Sequence, residues 1–273
     1  MSVTEEGPRA ALGNGWPLTR FGKQTLAIAE VELRKLFRDP TELFTRAVQP
    51  VLWLVIFGQV FSRVRGIPTG DVPYLAFMTP GILAQSVLFS AIFYGIAVIW
   101  ERDLGIVHKL LVSPSYRGAL VLGKALSAGL RGLVQAVIIY GLAFIMGIQV
   151  RIEPVAIGGV LFAVLLGSAI FSTFSLIIAC LVKTRERFMG IGQVLTMPLF
   201  FASNAIYPVA LMPAWLRVVA RVNPLTYLVD TLRGLMIPGG QNIHSFALDF
   251  GVMGVLFVAM LAAAARLYPT IIR

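Results

Sequence analysis

Residues 155–182 read VAIGGVLFAVLLGSAIFSTFSLIIACLV, a run without one Asp, Glu, Lys or Arg. About 20 apolar residues in a helix cross the roughly 30 Å hydrocarbon core of a bilayer, so this run is a membrane span with room for tilt. A barrel strand would need short segments of strict apolar and polar alternation, a period these residues lack. Outward from it, further apolar runs of spanning length lie at about 46–63, 76–100, 125–149, 188–206 and 246–267, the fifth span in chain order being interrupted by Pro198 and Asn204. The expected fold class is all-α integral membrane with six transmembrane helices.

Composition agrees. The chain is 58% hydrophobic and only 13% charged, with a mean hydropathy of +0.83, whereas a soluble domain carries about 25% charged residues. Its formal charge of +10 could suggest nucleic acid. However, the basic residues sit in short segments between apolar runs rather than on one soluble face with aromatics, so the expected partner is the lipid bilayer and no nucleic acid. Cys180, the sole cysteine, lies inside an apolar run and reads as a buried structural thiol. No secretory leader is expected, since the first spanning stretch begins near Ala47.

Lys and Arg in alternate loops set the orientation. Arg9, Arg20, Lys23, Arg34, Lys35, Arg38 and Arg46 precede the first span; Arg102, Lys109, Arg117 and Lys124 follow the second; Lys183, Arg185 and Arg187 follow the fourth; Arg266 and Arg273 close the chain. This side outnumbers the other (Arg63, Arg65, Arg151, Arg217, Arg221, Arg233) by more than two to one and is therefore expected to be cytoplasmic, with both termini inside. That result requires an even number of spans.

Residues 1–20, rich in Gly and Pro, read as a flexible cytoplasmic tail, and 40–273 as the six-span domain. Between them, 21–39 reads as an amphipathic helix at the membrane surface, against a partner subunit or on the chain's own loops. Phe21, Leu26, Ile28, Ala29, Val31, Leu33, Leu36 and Phe37 recur at helical steps among Lys23, Glu30, Glu32, Arg34, Lys35 and Arg38, and Asp39-Pro40 stops the pattern. Two loops exceed mere connectors. The cytoplasmic stretch 101–124 predicts a short amphipathic helix up to Val112 and a turn at Ser113-Pro114. The external stretch 205–245 predicts two short helices dipping into the outer boundary, broken at Asn223-Pro224, with Trp215 and Tyr227 suited to the interface.

Catalytic chemistry is not recognisable. His108 and His244 are predicted on opposite sides of the membrane and cannot share a metal, so no metal site is expected. Gly118 to Gly123-Lys124-Ala125 imitates a phosphate loop, but Ala125 offers no hydroxyl to magnesium and no strand precedes it; a helix entry with a snorkelling lysine is expected instead. Arg131, inside the third span, needs a partner or must snorkel, and it joins Gln85, Gln135 and Gln193 as candidate residues of a substrate pathway or of helix packing.

Two stretches carry a family resemblance. The external one holds Tyr207-Pro208, Met212-Pro213-Ala214-Trp215-Leu216 and Asn223-Pro224-Leu225-Thr226-Tyr227 with Asp230 and Arg233; the cytoplasmic one runs from Glu101-Arg102-Asp103-Leu104-Gly105 through Leu110-Leu111-Val112-Ser113-Pro114 to Gly123-Lys124. In this order and spacing the chain, nearly throughout after Phe21, resembles the type-2 ABC exporter permeases, particularly the daunorubicin-type drug-resistance branch. The stretch near His108 departs from that family, in which an acidic residue is frequent there.

The resemblance implies a connecting helix at 21–39, a cytoplasmic coupling helix at about 101–112 and external re-entrant helices at about 207–237. It implies a bacterial plasma-membrane location, a second permease copy (a homodimer or a paralogue pair) and two separate ABC ATPase subunits that hold the ATP and magnesium, with no cofactor in this chain. Glu101, Arg102 and Asp103 would dock by polar contact, Leu104 and Val107 by apolar contact, with Gly105 between. The implied function is export of an amphipathic drug or lipid-like molecule by alternating access; export of a lipid-linked polysaccharide and an ATP-independent secondary transporter are the alternatives. A secondary transporter places acids at mid-membrane, whereas here they lie in loops or near span ends, Asp249 being the nearest exception.

Overall fold

The computed structural model describes residues 17–38, 41–63, 67, 69–70, 72–107, 112, 116–240 and 242–272. Ten helices order the described chain: α1 (Pro17–Arg38), α2 (Thr41–Leu52), α3 (Gln59–Arg63), α4 (Tyr74–Asp103), α5 (Arg117–Ile145), α6 (Pro154–Leu181), α7 (Arg185–Phe201), α8 (Ala214–Val222), α9 (Pro224–Met236) and α10 (Phe246–Leu267). There is no strand among the described residues.

Four of these have the length and apolarity of a membrane span: α4, α5, α6 and α10 with its following turn to Ile271. They coincide with four of the expected runs. The first run is helical but shorter as an apolar helix, Val48–Arg63. It is also irregular: α2 passes into α3 through a π-helical segment, Trp53–Gly58, and Pro50, which has no N–H to donate, stands just before the register change. The interrupted run ends early. α7 stops at Phe201 after 17 residues, and Asn204 lies in the turn beyond it, fully buried.

The centre of the bundle is α4 and α6. Their apolar stretches are 78% and 67% buried, against 44% for α5 and 11% for α10, so the outer faces of α5 and α10 are left for lipid or another chain. Ile82, Leu83, Leu88, Ile170, Phe171, Leu228 and Leu232 fill the main core, where α9 packs against α4 and α6. Close approach is bought with small residues. Gly81 lies where a Cβ would meet the Ala205 carbonyl oxygen at 2.3 Å, so its hydrogen lets the turn after α7 lie on α4.

α1 rests along α5 and on Tyr116 just before it. Phe21 and Ile28 cover Gly118 and Gly123, and Thr25, Ala29 and Glu32 are buried at steps of four and three. The inward face therefore differs from the expected apolar stripe: Leu26 and Val31 point outward, and Glu32 points in. The stretch at 205–245 holds two short helices meeting at Asn223. At about 1.5 Å per residue, α8 and α9 reach roughly 14 and 20 Å, too short to span.

Candidate functional site

Glu32 is buried because three other charged groups, those of Lys124, Glu101 and Arg131, collect with it. Lys124 Nζ stands 2.6 Å from Glu101 Oε2 and 3.7 Å from Glu32 Oε1, and Arg131 Nη2 lies 3.9 Å from Glu32 Oε2. Arg131 also donates to Ser127 Oγ at 2.9 Å and lies 4.7 Å from the Tyr94 ring centroid. Two acids and two bases balance, which allows them to sit out of water. The network fastens α1, α4 and α5 together. It also disposes of the phosphate-loop mimic: Lys124 is 4% exposed and spent on carboxylates, neither free for phosphate nor snorkelling.

Beside Arg131 a cavity of about 550 Å³ opens along α2 and α4. Phe89, Phe93, Ile96 and Trp100 supply apolar walls, and Thr45, Gln49, Ser86, Ser90 and Arg131 supply polar groups. The volume is that of a small-molecule site, and the lining is amphipathic. Of the other pathway candidates, Gln85 and Gln135 are buried in the bundle, both amide ends of Gln85 and the Gln135 oxygen lacking a hydrogen-bond partner among the described residues. Gln193 faces outward on α7.

At the end of α4, the expected coupling residues divide. Glu101 belongs to the buried network. Arg102 donates to the Val182 and Lys183 carbonyls at 3.3 and 2.8 Å, and Asp103 bridges Arg102 and Arg185. Arg185 lies 3.5 Å over Trp100. These contacts tie the α4 end to the α6–α7 connection. Gly105 turns the chain at φ +73°, after which Val107 is buried against Val98 and Leu120, while Leu104 is 67% exposed. Helix α4 ends at Asp103; residues 108–111 of the segment expected to continue to Val112 lie outside the described residues.

The residues of the 205–245 stretch lock one another. Pro208 precedes a 3₁₀ turn, and Pro213 precedes α8, where Trp215 is exposed. The Tyr207 hydroxyl donates to the Phe201 carbonyl. Asn223 Oδ1 accepts from the Leu225 N–H at 3.0 Å, capping α9 ahead of Pro224, while its Nδ2 donates to the Leu199 carbonyl at 2.7 Å. Tyr227 donates to the Arg221 carbonyl at 2.5 Å. Arg233 donates to the Asn204 carbonyl at 2.7 Å and covers the Phe77 ring at 3.8 Å. Asp230 accepts from the Ile243 and His244 amides at 2.9 and 2.8 Å.

This succession, with a match of residues 23–237 to the family model for ABC-2 type transporters, decides the assignment. The chain belongs to the ABC-2 type transporter family. The match runs from α1 to the end of α9 and includes both motif stretches. Relatives in the family are named as transport proteins or for processes. The transport permease ycf38 of Cyanophora paradoxa is 32% identical over 203 residues, 74% of this chain and 70% of the relative. A permease named for doxorubicin resistance, DrrC of Mycobacterium tuberculosis, is 22% identical over 229 residues, 80% and 79% of the two chains. Nodulation protein J of Rhizobium leguminosarum is 26% identical over 219 residues, 77% and 79%.

Sequence reasoning missed Glu32, Tyr94 and Arg185 as parts of these sites. The signal for Glu32 was present: Arg131 within a span calls for a carboxylate, and the chain has only 13 acids to offer.

Proposed function

We propose that this chain is the membrane-spanning permease of an ATP-driven ABC exporter that moves an amphipathic drug or lipid-like molecule outward. Two copies pair around the pathway, with all six apolar helices serving as spans, both termini cytoplasmic and the assembly in a bacterial plasma membrane. Two separate ATPase subunits hold ATP and magnesium. The observation that carries the cargo class is the cavity beside Arg131, whose aromatic and aliphatic walls alternate with hydroxyl, amide and guanidinium groups.

In this reading the ATPases dock below α4, where Leu104 projects. Nucleotide-driven closure pushes on α4 and α1 together, because the Glu32, Lys124, Glu101 and Arg131 network joins them, and the permease pair shifts between inward- and outward-open states. The test is transport of a fluorescent amphipathic drug into inverted proteoliposomes holding the permease and its ATPase, with wild-type and Ala97→Trp chains. Ala97 lines the cavity and is exposed, so an indole there fills the cavity without displacing the core. Transport falls at least tenfold while complex assembly and basal ATP hydrolysis persist; unchanged transport refutes the cavity assignment, and transport without ATP refutes the exporter.

A further inference from the structure

Away from the cavity and the charge network, three side chains meet whose chemistry neither uses. Asp230 on α9 and Asp249 on α10 are fully buried, and His244, from the loop between them, directs Nδ1 at both. It lies 3.5 Å from Asp230 Oδ2 and 3.4 Å from Asp249 Oδ1. One ligand atom from each residue falls within 4.8 Å of the other two. Asp249 Oδ1 and His244 Nδ1 have no hydrogen-bond partner among the described residues, so a buried carboxylate oxygen and an imidazole nitrogen face the same small space. A buried polar atom in that condition calls for an ion or a proton.

The donor set and two of its spacings fit one class of ion. In a tetrahedral zinc site with bonds of about 2.0–2.1 Å, ligand atoms stand about 3.3–3.4 Å apart along the tetrahedral edges. The two histidine-to-carboxylate separations have nearly that length. Three protein ligands leave the fourth position to water, and His244, 28% exposed at its side chain, provides the opening. Calcium and magnesium demand six or more oxygens, which two carboxylates and an imidazole do not supply.

The outer contacts are those of ligands held in place. The Ile243 and His244 amides donate to Asp230, Thr231 Oγ1 donates to Asp249 Oδ2 at 3.4 Å, and the Tyr227 ring stacks on the imidazole at 5.4 Å. We propose that Asp230, His244 and Asp249 bind a divalent transition-metal ion of the zinc class, which clasps the re-entrant helix, the 242–245 loop and the first turn of the last span. Considering the histidines as a pair hides this site, because each carboxylate comes from a different element.

The experiment uses the full chain in nanodiscs, with its affinity tag cleaved and metal stripped with EDTA and then removed. Zinc chloride is titrated in, bound metal is measured by elemental mass spectrometry and affinity by calorimetry. One zinc per chain is expected at micromolar or tighter affinity, with a zinc-dependent rise in melting temperature that magnesium and calcium do not reproduce. His244→Ala weakens binding at least tenfold and abolishes that rise, while melting like the wild type in EDTA; Asp249→Asn, which keeps the side-chain shape, does the same to binding. No stoichiometric zinc, or less than a tenfold loss in His244→Ala, overturns the site.

Discussion

Replacing Lys124 by Met removes one cation from a buried set of four. The methionine keeps the length and apolar body of the side chain, so the change is electrostatic rather than a cavity. Glu101 then loses its contact at 2.6 Å and Glu32 its contact at 3.7 Å, leaving Arg131, 3.9 Å from Glu32, to serve two carboxylates. Breaking a buried pair by deleting one partner costs about 3–5 kcal/mol, a large part of the roughly 5–15 kcal/mol that holds a typical domain folded. At about 2–4 °C per kcal/mol for a chain of this order of size, the melting temperature falls by roughly 6–20 °C. Thermal unfolding of detergent-solubilised protein, followed by fluorescence-detected size exclusion, reads this directly. The double variant Lys124→Met/Glu101→Gln restores charge balance with the Glu32 and Arg131 pair intact, and recovers at least half of the loss. A single variant within 2 °C of wild type, or a double variant as unstable as the single, refutes the network as the clamp between α1, α4 and α5.

Gly81→Ala forces a Cβ to within 2.3–2.8 Å of Ala205 backbone atoms, which have no rotamer to change; it costs about 1–3 kcal/mol in the same melting assay, whereas Gly141→Ala, facing open space in α5, does not destabilise. Asn223→Ala removes the cap on α9 and the bond to Leu199, lowering stability by about 1–2 kcal/mol; Asn223→Asp, which keeps the cap acceptor, loses less. Leu104→Asp leaves melting unchanged, since the side chain is exposed, but reduces co-purification with the ATPase.

The spans were legible because their physics is local. A charge-free run such as 155–182 needs no tertiary information to be read as a helix in lipid, and α6 at Pro154–Leu181 lies within a residue of it. The interrupted run at 188–206 was harder: hydropathy continues past Phe201, but the chain turns there, because Asn204 gives its carbonyl to Arg233, 29 residues on. The inner face of α1 was not legible for the same kind of reason. Periodicity ranks Glu32 as polar and outward, yet a carboxylate goes inward when two cations from α5 await it, and no window along α1 contains Lys124 or Arg131. The coupling stretch shows the limit of motif reading: Glu101, Arg102 and Asp103 are adjacent in sequence, but the first faces the interior, the second holds two carbonyls and the third bridges two arginines.

That division of labour gives α4 a particular place in the proposed transport cycle. Its 30 residues extend about 45 Å as one helix. At one end Arg102 and Asp103 grip the α6–α7 connection; in the middle Phe89, Ser90, Phe93 and Ile96 form a wall of the cavity; near the other end Phe77 lies under Arg233, and Gly81 supports the turn after α7. In that proposed cycle, force applied at Leu104 reaches the cavity wall directly, while Pro80, inside α4 between the wall and Phe77, is the point at which the helix can bend before the turn after α7. The Gly95 position, where Ser175 and Phe188 leave no room for a Cβ, instead pins α4 to its neighbours α6 and α7 close to the cavity. In the proposed cycle, movement of α4 would therefore carry α6 and α7 with it, and the sliding surface would fall on the faces left exposed, those of α5 and α10 and the α2 side of the cavity.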